Sequence, residues 1–115
     1  MVRAMVYAGL PADYQVMAKY AVHTGDYEKI LTAVCVGLKI DHKALVGKCR
    51  TREISDARKI AFRLLRDLSS MTLVQIGRLF NKEHSTVVHS LDAYNELYEV
   101  DPAFREKVLR VKRLL

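Results

Sequence analysis

Between Glu53 and Ser69 the apolar residues Ile54, Ala57, Ile60, Ala61, Leu64, Leu65 and Leu68 fall at offsets 0, 3, 6, 7, 10, 11 and 14. This spacing restricts the fold more tightly than any other feature of the chain. It collects all seven side chains on one stripe of a 3.6-residue helix and on neither face of a strand. A helix of four to five turns is expected here, about 5.4 Å per turn, with its stripe buried against other elements. Arg58, Lys59, Arg63 and Arg66 fall off the stripe and are expected to stay in water.

The flanking segments read the same way. Leu10-Pro11 looks like a helix start, carrying the chain through Val16, Ala18, Tyr20 and Ala21 to about His23, with Gly25 closing it. Asp26 then caps a second helix, in which Ile30, Leu31, Val34 and Leu38 recur at helical spacing. Asp41 opens a short turn, DHKALVG, ended by Gly47. After the long helix, Ser69-Ser70-Met71-Thr72 breaks the pattern and Thr72 caps LVQIGRLF. Gly77 in its interior costs roughly 1 kcal/mol relative to Ala, and close approach by a second helix is the expected reason. Asn81 sits where the chain must turn, since Asn accepts a left-handed backbone better than most residues. Val87, Val88, Leu91, Tyr94, Leu97 and Tyr98 form the packing face of another long helix. Asp101-Pro102 caps and opens a last one, with Phe104, Val108, Val111 and Leu115 on one face. With five Gly, two Pro and half of its 115 residues apolar, the chain is expected to be one all-α domain of six or seven helices.

The placement of charge narrows the function. The chain carries a net +6. Lys48 to Lys82 alone holds nine basic residues (Lys48, Arg50, Arg52, Arg58, Lys59, Arg63, Arg66, Arg78, Lys82) against Glu53, Asp56 and Asp67. Concentrated positive charge is the footprint of a polyanionic partner. No apolar run approaches the roughly 20 residues that cross a bilayer. Asp13 and the helix-like pattern after it argue against a signal peptide, so a cytoplasmic, nucleoid-associated protein is expected. Cys35 and Cys49 make no disulfide framework and read as reduced thiols.

A short helix, a tight turn and a longer helix describe a helix-turn-helix, in which the start of the second helix points into a DNA major groove. That explains the polar knot in IGRLFNKEHSTVVHS, Ile76 to Ser90. Glu83, His84, Ser85 and Thr86 face base edges and phosphates, while Val87 and Val88 dock the same helix. A carboxylate such as Glu83 can accept from cytosine N4, and the Thr86 methyl can meet a thymine methyl. Backbone N–H groups at the helix start favour a phosphate.

These residues carry a resemblance. From about Tyr27 to Leu115 the chain resembles the C-terminal DNA-binding domain, domain IV, of the bacterial replication initiator DnaA, a Trp-repressor-like helical fold. The stretches that carry it are KCRTREISDARKIAFRLLRDLS, TLVQIGRLF and KEHSTVVHSL. The resemblance implies that Arg50 enters a minor groove and that Glu83, His84 and Ser85 read bases in the major groove. It implies phosphate contacts at Arg58, Lys59, Arg66 and Thr86, to which the basic connector and the turn add Arg52 and Lys82. The implied target is a short AT-rich element, the DnaA box, and the implied role is replication initiation or control, or transcription regulation. The family usually has Gly-Gly-Arg-Asp before the histidine; here Asn81-Lys82-Glu83 is one residue shorter, with Glu for Asp. Val74 stands where proline is frequent and Lys59 where glutamine is frequent.

The initiator carries an ATPase module ahead of this domain. Here no G-x-x-x-x-G-K-[ST] occurs, which points to a free-standing DnaA-like unit at residues 26–115. Residues 1–25 are expected to form a helical extension and a candidate homodimer contact. No cofactor, nucleotide, metal or catalytic step is expected. His84 and His89 are five apart and do not share a helix face as an i, i+4 pair would. Ser85 beside His84 lacks an orienting third group. A protein-interaction adaptor and a nuclease or recombinase fragment are the rival classes, the latter without a carboxylate cluster.

Overall fold

The computed structural model describes residues 23–115, and the described part is all helical. Six helices follow in order: α1, His23–Leu38; α2, His42–Val46; α3, Arg52–Leu68; α4, Leu73–Leu79; α5, His84–Val100; and α6, Pro102–Lys112. The expected helix from Leu10 lies outside the described residues, as does most of the proposed extension. One expectation is corrected at the boundary. α1 runs unbroken through Gly25 and Asp26, so neither residue ends or starts a helix. The propensity cost of one Gly is only about 1 kcal/mol, and burial of Ile30, Leu31, Ala33 and Val34 on the same helix outweighs it.

The stripe of α3 is the centre of the core. Ile54, Ala57, Ile60, Ala61, Leu64 and Leu65 are all buried, and Leu68 is half-buried. α3 packs on α1, α2, α4 and α5, while α6 closes the bundle against α1 and α5. Phe62 adds a second buried edge, meeting Phe80 at 4.7 Å with the rings near perpendicular. The α5 face is anchored by Val87 and Tyr94, and that of α6 by Phe104, Val108 and Val111. Leu115 does not join them. It follows the end of α6 and is exposed.

The helix starts are set by local chemistry. Thr51 accepts the Ile54 N–H and opens α3. Thr72 and Gln75 form a reciprocal capping box on α4, at 3.1 and 2.9 Å. Asp101 accepts from the Ala103 and Phe104 N–H groups, with Pro102 at the first helical position. Asp41 precedes α2, but its side chain makes no capping bond. No described helix is long and apolar enough to cross a membrane.

Candidate nucleic-acid interface

The turn between α4 and α5 is built by two residues with special backbone needs. Asn81 adopts φ 55°, the left-handed conformation expected of it. Gly77 is required for a different reason from the one its position in a helix suggests. A Cβ there would lie 2.5 Å from the Lys82 carbonyl oxygen. The chain after α4 folds straight back over it, and the Lys82 N–H donates to the Gly77 carbonyl at 2.7 Å. The close approach is therefore by the backbone of the turn and not by a second helix. Phe80, buried between these residues, ties the turn to α3.

This turn delivers the start of α5. Glu83 occupies the N-cap position in an extended conformation, and its carboxylate makes no capping bond. The first turn closes through the Thr86 N–H onto the Glu83 carbonyl at 3.0 Å. Glu83, His84, Ser85 and Thr86 are all exposed, and the very next residue, Val87, is fully buried. The helix thus meets solvent for one turn and the core thereafter. The Glu83 carboxylate is thus free of capping bonds, as that of Asp41 is on α2, and it lies beside the positive end of a 17-residue helix dipole. Exposed His89 stands four residues after Ser85 and so shares its face, a neighbour that the sequence reading weighs only as a metal ligand although the i, i+4 spacing points to it.

The basic residues divide. Arg50 is exposed at the end of the connector between α2 and α3. Lys59 is half-buried, with its Nζ 2.8 Å from Ser55 Oγ. Arg66 is exposed and gives one N–H to the Met71 carbonyl at 2.9 Å, which holds it at the α3–α4 junction. Lys82 is half-buried in the turn between α4 and α5. Arg52 is 75% exposed yet leans on two carboxylates, Asp56 at 3.9 Å and Asp101 at 3.8 Å. Arg63 is half-buried, pairing with Asp67 at 3.0 Å and lying 5.9 Å from the centre of the Tyr94 ring.

Arg58 departs from expectation. Half-buried like Lys59 and Arg63, it turns its guanidinium onto main-chain carbonyls: its Nε donates to the Leu45 carbonyl at 2.7 Å, and Nη2 to the Ala44 and Gly47 carbonyls at 2.9 and 2.6 Å. Nη1 donates to the Cys49 carbonyl at 2.5 Å. Burial pulls the guanidinium below its ordinary pKa, which the neighbouring Cys49 partly opposes, but an arginine so placed remains charged. In the same connector, hydrogen bonds from Thr51 hold the Cys49 thiol below its usual range. The Cys49 Sγ is 3.7 Å from the Thr51 hydroxyl. Among the described residues no group of three or more His, Cys, Asp or Glu side chains is placed to hold a metal ion.

Comparison with known proteins agrees with this geometry. The family described as "Bacterial dnaA protein helix-turn-helix" matches residues 27–93, more than half of the chain and all of α2 to α4 with the first turns of α5. Among curated relatives, the chromosomal replication initiator protein DnaA of Thermomicrobium roseum is 40% identical over 89 residues, covering 76% of this chain and 19% of its own length. The Bacteroides thetaiotaomicron protein of the same name is 33% identical with the same two coverages. That of a Synechococcus strain is 30% identical over 99% of this chain and 27% of its own length. The chain thus spans about a fifth to a quarter of the length of these relatives.

Proposed function

Because the chain belongs to the bacterial DnaA helix-turn-helix family, we propose that it binds double-stranded DNA sequence-specifically, through the first turn of α5 set in a major groove. Glu83, His84 and Ser85 read base edges, and Arg50 reaches the adjacent minor groove. Lys59, Arg66, Lys82, Thr86 and the outer face of Arg52 hold phosphates and fix the register. The target is an element of the DnaA-box kind, and the role is in replication initiation or control, or in transcription regulation. The working unit runs from α1, which is already under way at His23 and so takes in the boundary expected at residue 26, to residue 115, with the residues ahead of it as a homodimer contact that would gain affinity by linking two modules. Binding needs no cofactor and no catalytic step, and places the protein with the nucleoid in the cytoplasm.

One observation supports this reading above the others. The polar residues Glu83 to Thr86 are all exposed at a helix start that no side chain caps, directly ahead of a buried valine. The turn that aims them is fixed by Gly77 and Asn81. The family relationship supplies the partner class, and the concentration of positive charge from Lys48 to Lys82 fits it.

Selection from a randomised duplex library tests the assignment of roles. His84→Ala should relax preference at one position of the site, at a cost of roughly 1–3 kcal/mol; Arg66→Ala should weaken all sequences alike and lower the salt slope by about one. Identical sequence profiles for the two variants would refute the division. Retention of a protein partner, insensitive to salt and without any shift of DNA, would favour an adaptor instead.

A further inference from the structure

We propose that Arg58 is a positioning residue for the arm that carries Arg50, and not a phosphate contact; this rests on the DNA-reading surface proposed above. Arginine has five N–H donors in a planar fork. Four of the five bonds available to Arg58 go to main-chain carbonyls, those of Ala44, Leu45, Gly47 and Cys49. Bidentate capture of a phosphate needs two parallel N–H groups facing outward, and one remains.

Three of the four acceptors have a common meaning. Ala44 and Leu45 lie in the last turn of α2 and Gly47 is its C-cap. Helix ends leave such carbonyls without intrahelical partners, and they form the negative end of the helix dipole. Arg58 satisfies them from α3, so it clamps α2 to α3. At Gly47 the chain doubles back tightly: a Cβ there would lie 2.7 Å from the Lys43 carbonyl oxygen.

The fourth bond reaches further. The Cys49 carbonyl belongs to the peptide unit that also contains the Arg50 nitrogen, so holding it fixes the peptide plane from which Arg50 departs and leaves only rotation about its own bonds. Thr51, one residue on, is already fixed as the N-cap of α3. The arm from Lys48 to Arg50, exposed at Lys48 and Arg50 and half-buried at Cys49, is therefore held at Cys49 and again at Thr51 before any DNA arrives. Pre-ordering of this kind removes an entropic cost from binding. Lysine cannot substitute, because an ammonium offers three donors from a single point and cannot span four carbonyls.

The test uses the full chain and the variants Arg58→Lys, Arg58→Ala and Arg50→Ala, singly and combined. Without DNA, limited trypsin digestion after Lys48 and Arg50 should speed up at least tenfold in Arg58→Lys while far-UV circular dichroism keeps its helical signal. On duplex DNA, anisotropy should show Arg58→Lys and Arg58→Ala losing specific affinity alike, by tenfold or more. That loss should largely vanish in the Arg50→Ala background, and scrambled-duplex binding by Arg58→Lys should match the parent. Unchanged trypsin cleavage in Arg58→Lys overturns the proposal whatever the DNA result. So does rescue of binding by Arg58→Lys, with the salt slope of Arg58→Ala falling by about one. Loss of the helical signal in Arg58→Lys also overturns it, by making the residue a general stability element. A parent protein that does not discriminate between duplexes would instead sink the DNA-reading surface, while the digestion result still judges the clamp.

Discussion

Lys107 places its Nζ 3.0 Å from the Oδ2 of Asp56, joining α6 to the first turns of α3 across 51 positions of chain. The Asp56 side chain is only 7% exposed, and Arg52 approaches the same oxygen from 3.9 Å. Arg52 in turn reaches Asp101, whose other oxygen caps α6. The start of the C-terminal helix is thereby linked to the basic connector. A buried carboxylate without its partner is costly, while removing both charges together is often nearly neutral. Lys107→Met should therefore cost about 2–3 kcal/mol, less than the 3–5 of a fully buried pair because the lysine is partly exposed. Asp56→Leu combined with Lys107→Met should recover most of it. Urea denaturation of the single and double variants measures both values.

The contact between Gly77 and the Lys82 carbonyl makes position 77 intolerant of any side chain. Gly77→Ala gains roughly 1 kcal/mol of helix propensity, but its Cβ would need the turn backbone to move, since 2.5 Å is far inside contact distance. The expected result is a net loss of about 1–2 kcal/mol in stability and a larger fall in specific than in non-specific DNA affinity. Denaturation paired with binding to a target and a scrambled duplex would show the split.

Asn81, Ser70 and Lys39 all hold positive φ, at 55°, 59° and 57°. A left-handed backbone costs ordinary residues about 1–2 kcal/mol, and Gly almost nothing. Asn81→Val should destabilise by about that amount, while Asn81→Gly should stay within a few tenths. Ser70→Gly is expected to raise stability by up to about 1 kcal/mol. A shift of thermal midpoint in the opposite direction for Ser70→Gly would show that its side chain matters more than its backbone.

The two thiols should differ in reactivity. Hydrogen bonds from Thr51 lower the Cys49 pKa, whereas burial, and then the charge of Asp41, raise that of Cys35. A thiol with a lowered pKa is thiolate at lower pH, and the thiolate is the nucleophile. Iodoacetamide should label Cys49 first as pH rises, and duplex DNA should slow that labelling because Cys49 adjoins Arg50. Peptide mapping by mass spectrometry reads both, and faster labelling of Cys35 would contradict the assignment.

Much of this molecule is legible in its spacing, and the exceptions arise where distant contacts or burial outweigh a local rule. The α3 stripe, the Thr72 and Asp101 caps and the left-handed Asn81 each follow from a local rule, and the structure places them accordingly. The exposed block Glu83–Thr86 was readable because a polar run interrupts two apolar helices at a turn. Arg58 and Asp56 were not readable in the same way. Periodicity says which side of a helix a residue occupies, but their partners lie up to 14 and 51 positions away. Gly25-Asp26 misled for the converse reason: a strong local stop signal was outweighed by burial of the residues that follow it.

The most direct measurement is fluorescence anisotropy of the whole chain on a DnaA-box duplex and on its scrambled counterpart, titrated with salt. If the first turn of α5 reads bases while the surrounding cations hold phosphates, the box duplex binds more tightly at every salt concentration, and log affinity falls linearly with log salt for both. Equal affinity for the two duplexes throughout, or binding that ignores salt, would contradict it.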